Sequence, residues 1–183
     1  MCSSDLIEET GAAQYYRDAK ILTIYEGTTA IQANDLVGRK TARDGGKNAK
    51  DIAAQIAKTE EQLLASGTAA AQAMALRLKN AREAFLDVVD FVAGKAKASP
   101  NAVYAGSVPY LMLTGNLVAG WQMGRALLVA QDKAAKGEDV AFMQAKVVTA
   151  QFYAEHILTR TTSLRDSILA GGESTCALAL DAF

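Results

Sequence analysis

The sequence predicts an all-α protein in which an antiparallel bundle of long helices follows two shorter helices. Of the 183 residues, 50% are hydrophobic and only two are proline, and with abundant alanine this composition favours helices. Apolar residues recur at alternating steps of four and three, whereas the every-second-residue alternation typical of strands is scarce. Turn residues divide the chain into long segments, as an antiparallel bundle requires.

The N-terminal part of the chain predicts two helices with a break between them. A helical pattern covers residues 13–22, and TIYEGTT, residues 23–29, interrupts it. Gly27 is a natural helix breaker, and a threonine after it can cap the next helix, which we expect over residues 29–42. RDGGKN, residues 43–48, is the best candidate for a linker because two glycines lie among charged and polar residues.

Four longer helices are expected after this linker, over residues 49–65, 68–98, 102–136 and 140–169. Two of them carry an apolar seam with the spacing of a helix bundle. In the second helix the seam is Met74, Leu78, Ala81, Phe85, Val88 and Val92. In the fourth helix it is Val140, Met143, Val147, Ala150, Ala154, Ile157, Thr161, Leu164 and Ile168.

The third long helix contains the longest uncharged run, residues 102–124. Its length would span a bilayer, but several polar residues and glycines interrupt it, so we expect a buried central helix and no membrane association. Pro109 predicts a kink or a restart of the helix. Gly120 and Gly124 form a GxxxG pattern, which indicates a close helix contact within the bundle.

Charge and residue types exclude several classes of function. The net charge of −1 provides no basic field for nucleic acid. His156 is the single histidine, so neither a metal site nor a nucleophilic triad is expected, and a partly buried structural role is the ordinary interpretation. Cys2 and Cys176 lie near opposite ends, which predicts free thiols. The first residues lack the pattern of a signal peptide, and we expect a cytoplasmic protein.

Glu26 is the strongest candidate for chemistry. Tyr25 supplies apolar cover for its carboxylate, Gly27 allows a ligand to approach the backbone, and the N-terminus of the following helix suits an anionic or polar group. These features suggest a general base in a loop beside a ligand site. Taken without its neighbours, a glutamate at such a junction is ordinarily a surface residue.

The segment YYRDAKILTIYEGTTAIQANDLVGRK resembles the C-terminal end of acyl-CoA dehydrogenases. In that family an R-D-A-K-I segment ends one helix of the C-terminal domain, a Y-E-G-T loop carries the catalytic base, and a T/S-x-x-I-Q pattern opens the next helix. The matching residues are 17–21, 25–28 and 31–32. The residues around these motifs and the helical extension resemble those of one subgroup. It consists of larger members related to the methylmercaptopropionyl-CoA enzymes, which carry an extra helical domain.

The resemblance implies three parts. Residues 1–6 match nothing and are interpreted as a non-native or artefactual start. Residues 7–46 would be the last two helices of the C-terminal domain with its catalytic loop, and residues 47–183 the helical extension. The chain would then be a C-terminal fragment, inactive alone, without the N-terminal and middle domains. Missing neighbours predict an exposed apolar face made by Ile21, Leu22, Ile24, Ile31 or Leu36.

The resemblance also implies a reaction. Glu26 would remove the α-proton of an acyl-CoA thioester, FAD would accept the β-hydrogen as hydride, and a trans-2-enoyl-CoA would result. Gly27 would lie against the acyl-CoA, and Thr28, Thr29 and Ala30 match cofactor-binding positions, although Ala30 can offer only its backbone. For the complete enzyme, the resemblance implies electron-transfer flavoprotein as a partner and a homo-oligomer. The alternative is a non-catalytic helical module for interaction or oligomerisation.

Overall fold

The fold is known from a computed structural model that describes residues 11–24 and 28–182. All regular structure in these two ranges is helical, and no strand occurs within them. The prediction of an all-α protein is therefore confirmed.

Two helices precede the bundle, as predicted. Helix α1, Ala12–Lys20, continues into a 3₁₀ turn, Ile21–Thr23. Helix α2, Thr28–Asp35, continues without a break into a π-helical segment, Leu36–Ala42. The second helical unit therefore extends over residues 28–42, against an expectation of 29–42.

The RDGGKN segment is a tight, packed turn. The carboxylate of Asp44 accepts hydrogen bonds from the backbone N–H groups of Gly46, at 2.9 Å, and Asn48, at 3.0 Å. These bonds lower the pKa of Asp44, the bond from Asn48 most. Gly46 has a φ of 82°, and a Cβ at this position would lie 2.5 Å from Cγ1 of Val89. The turn therefore joins residues 28–42 closely to the bundle.

The bundle begins with α3, Lys47–Ser66, and α4, Ala69–Lys95. Gly67 ends α3 with a φ of 71°, and the Thr68 hydroxyl caps α4 by accepting from the N–H of Ala71 at 3.2 Å. The six predicted seam residues of α4 are all buried, at no more than 3% exposure.

The next segment divides into α5, Pro100–Ala105, and α6, Ser107–Ala135. The break lies at Gly106, so the prediction of a kink or restart at Pro109 was wrong in its position. A Cβ on Gly106 would lie 2.9 Å from Cγ2 of Ile168, so a close tertiary contact accompanies the break. Pro109 lies in the first turn of α6, where a missing N–H costs no helical hydrogen bond.

The last predicted long helix contains a π-helical turn. It consists of α7, Val140–Tyr153, the turn Ala154–Leu158, and α8, Arg160–Ala170. Four predicted seam residues are fully buried: Ala150, Ala154, Thr161 and Ile168. Leu158 is buried with them, whereas the prediction was wrong for Val140, which is 39% exposed, and Ile157 is only partly buried. A short helix α9, Gly172–Thr175, and a 3₁₀ turn, Leu180–Ala182, follow.

Helix α6 is the centre of the bundle, since it packs against α2, α3, α4, α7 and α8. The GxxxG prediction is confirmed: a Cβ on Gly120 would lie 2.5 Å from Leu158 Cδ2, and one on Gly124 would lie 3.2 Å from Leu63 Cδ1. Within the described ranges, no helix has both the length and the apolar character needed to cross a membrane.

Candidate functional site

The predicted site lies around the start of α2. Glu26 and Gly27, the proposed base and substrate contact, fall outside the described residues. Thr28, Thr29 and Ala30 form the first turn of α2; Thr28 is partly buried and the other two are exposed. The amide groups of a first helical turn have no partner within the helix and favour anionic ligands.

One stripe of residues holds α2 and its π-helical continuation against the bundle. Ala33, Val37 and Thr41 follow one another at intervals of four, and each is 0% exposed. In an α-helix such residues drift around the axis, because one turn holds about 3.6 residues. The wider π-helical turn offsets this drift, so that all three face the bundle. The backbone N–H of Arg43 donates to the carbonyl of Gly38 at 3.1 Å, the spacing of a π-helix.

The stripe ends in a buried polar contact with the bundle. Oγ1 of Thr41 and Oη of Tyr110 share a hydrogen bond of 3.0 Å. Tyr110 is 1% exposed and stacks on Phe85 with ring centroids 6.0 Å apart. Burial raises the pKa of Tyr110 to about 12, the charge of Asp44 acts in the same direction, and the bond to Thr41 acts against both. The phenol therefore remains neutral at physiological pH.

A groove of about 350 Å³ opens beside this contact. Its walls are mainly apolar and come from the π-helical segment and from α3, α4 and α6: Leu36, Ala49, Ile52, Phe85, Tyr110 and Leu111. Polar groups of Gln32, Lys40 and Thr114 border it. Its charged lining residues are Asp35 and Lys40, and the Asp35 carboxylate pairs with Arg39 at 3.0 Å.

The N-terminal segment exposes the apolar face that the sequence predicts. Ile21, Leu22, Ile24 and Ile31 are between 45% and 78% exposed. Leu36 is the exception, because it is partly buried and packs against the core. Tyr15 and Tyr16 add two exposed aromatic rings on α1. Such a concentration of large apolar side chains at the surface is typical of an interface.

The remaining candidates show no reactive arrangement. His156 is exposed and stacks on Phe152, with ring centroids 4.5 Å apart, so the prediction of a partly buried histidine was wrong. Cys176 is a free, exposed thiol, and Cys2 lies outside the described residues. Among the residues that the structure describes, no group of three or more histidine, cysteine, aspartate or glutamate side chains could hold a metal ion.

The sequence does not predict the pairing of Thr41 with Tyr110, because the two residues lie 69 positions apart. The only signal was a tyrosine within the uncharged run of residues 102–124. A buried tyrosine usually needs a partner for its hydroxyl, but the sequence does not identify that partner.

Comparison with known proteins gives a consistent result. A sequence model of the family described as "Acetyl-CoA dehydrogenase C-terminal like" matches residues 49–179. The chain is 52% identical to 3-methylmercaptopropionyl-CoA dehydrogenase of Ruegeria pomeroyi over 174 residues, which are 95% of this chain and 29% of that relative.

More distant relatives match a similar share of this chain and of their own length. The broad-specificity linear acyl-CoA dehydrogenase FadE5 of Mycobacterium tuberculosis is 36% identical over 90% of this chain and 28% of its own length. A butyryl-CoA dehydrogenase of Syntrophomonas wolfei is 32% identical over 83% of this chain and 25% of its own length. The chain thus spans less than a third of the length of each of these relatives.

Proposed function

The chain belongs to the acetyl-CoA dehydrogenase C-terminal-like family, and from that premise we propose that it forms the C-terminal helical part of an FAD-dependent acyl-CoA dehydrogenase. In this proposal Glu26 is the base that removes the α-proton of an acyl-CoA thioester. The observation that carries the proposal is that residues 28–35 are helical, as the acyl-CoA dehydrogenase motif predicts for the residues that follow YEG. The relatives with 52% and 36% identity support the enzyme class.

The chain contributes the proton-transfer half of the reaction. FAD, when bound, supplies the acceptor for the β-hydrogen. The Glu26 carboxylate takes the α-proton, a step in which positioning and removal from water matter more than intrinsic basicity. Gly27 carries no side chain and leaves room for the thioester. The first turn of α2 would offer backbone groups and the Thr29 hydroxyl to the cofactor, whereas Ala30 can contribute only its backbone.

The exposed apolar face fits a place inside a longer enzyme. We assign the side chains of Leu22, Ile24 and Ile31, exposed here by 60% or more, to contacts with the portion of the enzyme that this chain does not span. Burial of large apolar side chains in that contact would stabilise it by about 25 cal/mol for each Å² removed from water. Electron-transfer flavoprotein as electron acceptor, a homo-oligomer and a cytoplasmic location follow from the resemblance and the sequence, and belong to the same proposal.

The direct test is Glu26→Gln in the enzyme that contains the remaining domains. The amide keeps the size and polarity of the side chain but cannot accept the α-proton, so the rate of flavin bleaching on adding acyl-CoA should fall by about 10²–10⁴-fold. Bound flavin should remain. Glu61→Gln, an exposed position on α3, is the matched control and should bleach at the wild-type rate.

Two outcomes would contradict the proposal. Bleaching at an unchanged rate in Glu26→Gln would place the base elsewhere and favour the alternative of a non-catalytic helical interaction module. A yellow preparation of the 183-residue chain that oxidises acyl-CoA by itself would contradict the dependence on the remaining domains.

A further inference from the structure

We propose that Tyr110 is a positioning residue: through its hydrogen bond with Thr41, it fixes the rotation of the helical unit that begins directly after the Glu26 loop. The catalytic consequence rests on the proposed function of Glu26. The structural part concerns this chain alone and can be tested without any assumption about the reaction.

The helical unit is continuous from the candidate site to the hydrogen bond. Helix α2 opens at Thr28 and passes without a break into the π-helical segment that ends at Ala42. Glu26 precedes this unit by two residues. The unit is roughly 22 Å long, at about 1.5 Å per residue. Whatever fixes the rotation at its far end therefore also fixes the rotation of Thr28, the first described residue after Glu26 and Gly27.

The hydrogen bond is the directional member of the buried stripe. Ala33 and Val37 are fully buried, but apolar contact is non-directional and tolerates rotation and sliding. The bond between Thr41 and Tyr110, by contrast, requires both oxygens near their 3.0 Å separation. Stacking on Phe85 holds the tyrosine ring in place, so Tyr110 acts as the fixed partner.

The π-helical segment makes the rotation of the preceding residues depend on this hydrogen bond. A π-helical turn holds an extra residue relative to an α-helix. If the segment relaxed to an α-helix, everything before it would turn by about one residue, or roughly 100°. Gly38 lies within the segment, and a Cβ there would come 2.9 Å from Oη of Tyr104. Tyr104 of α5 and Tyr110 of α6 thus both lie close to the segment.

The chain offers a matched control for this bond. Nε1 of Trp121 donates to Oγ1 of Thr59 at 2.8 Å. This is also a bond between a buried threonine and an aromatic residue of α6, but it joins α3 to α6. Thr41→Val and Thr59→Val therefore remove the same group, with nearly the same change in shape, from bonds that differ in whether they touch residues 28–42.

The first experiment follows amide hydrogen exchange in the 183-residue chain. Thr41→Val and Tyr110→Phe should both speed exchange in residues 28–42, by about tenfold, while Thr59→Val leaves that region at the wild-type rate. Equal exchange of residues 28–42 in Thr41→Val and Thr59→Val would overturn the proposal. If Thr41→Val does not fold, Tyr110→Phe, which retains the ring and its stacking on Phe85, decides the same question.

The second experiment measures steady-state kinetics in the enzyme with its remaining domains. Thr41→Val should lower kcat for acyl-CoA oxidation by about tenfold with KM unchanged, because the base is misplaced while the substrate contacts remain. Thr41→Ser, which keeps the hydroxyl, should restore kcat, and Thr59→Val should match the wild type. A Thr41→Val enzyme that oxidises acyl-CoA as fast as Thr59→Val would overturn the catalytic part. A wild-type enzyme without activity would instead contradict the proposed function, and the exchange experiment would still decide the structural part.

Discussion

Arg82 and Glu60 form a two-point ion pair between α4 and α3. Nε of Arg82 donates to Oε1 of Glu60 at 2.7 Å, and Nη2 donates to Oε2 at 2.9 Å. Their side chains are 17% and 9% exposed. A second pair joins the same two helices: Lys50 Nζ lies 2.7 Å from Asp90 Oδ1, but these side chains are 49% and 64% exposed. The two pairs differ in their access to solvent and in the number of contacts, two for Arg82 and one for Lys50.

Removing the cation from each pair should have unequal effects on stability. Arg82→Met leaves the Glu60 carboxylate buried without its partner, and we expect a loss of about 3 kcal/mol in the free energy of unfolding. Lys50→Met should cost less than about 1 kcal/mol, because water solvates the remaining carboxylate. Urea denaturation of the two variants measures both values. Adding Glu60→Gln to Arg82→Met should recover part of the loss, and equal losses in the two single variants would contradict this account.

Two glycines of α6 should respond in opposite directions to the same substitution. Gly120→Ala would place a Cβ 2.5 Å from Leu158 Cδ2 and 3.0 Å from Leu158 Cδ1, so we expect a loss of about 1–3 kcal/mol from overpacking. Gly115 has no heavy atom within 4 Å of such a Cβ. Gly115→Ala should stabilise the helix by about 0.5–1 kcal/mol, because alanine favours helix more than glycine does. Thermal unfolding of both variants tests the pair; stabilisation of Gly120→Ala would show that α6 and the π-helical turn can separate at little cost.

The long helices could be predicted because their signal is local. The seam of α4 follows from the spacing of apolar residues, and all six members are buried. The break at Gly106 could not be predicted in the same way, because Ile168, which approaches Gly106 closely, lies far from it in the sequence. The two π-helical segments could not be predicted for a similar reason. They adjust the rotation of a helix to its neighbours, and no local pattern specifies that rotation.

The candidate site could also be predicted only where its signal is local. The motif predicted a helix in the residues that follow Gly27, and residues 28–35 form α2. The roles of Glu26 and Gly27 remain predictions. The partner of Thr41 depends on how α6 crosses the π-helical segment, so only the three-dimensional structure reveals it. His156 lies within the π-helical turn Ala154–Leu158 and is exposed.

A substitution in the exposed face of the N-terminal segment should affect the stability of the longer enzyme more than that of the 183-residue chain. Leu22 is 78% exposed, so Leu22→Glu should change the free energy of unfolding of the 183-residue chain by less than about 0.5 kcal/mol. Leu63→Glu, at a position with 0% exposure, should abolish folding and serves as the control. In the longer enzyme Leu22→Glu should weaken packing of this segment, measured as a lower melting temperature. An unchanged melting temperature would contradict the assignment of this face to an internal contact.

Tyr110 should make the fold sensitive to alkaline pH. Burial raises its pKa from 10.0 to about 12, so above a pH of about 10 the unfolded chain releases the phenolic proton while the folded chain retains it. The folded state then binds more protons, and the free energy of unfolding falls as pH rises, by roughly 2–3 kcal/mol between about pH 10 and pH 12. Below about pH 10 the phenol is protonated in both states, so Tyr110 does not change the free energy of unfolding with pH. Urea denaturation of the wild type and Tyr110→Phe across this range isolates the effect, because lysines and the other tyrosines titrate in both proteins. The wild type should lose more stability than the variant, and parallel curves would show that Tyr110 ionises in the folded chain as readily as in the unfolded chain.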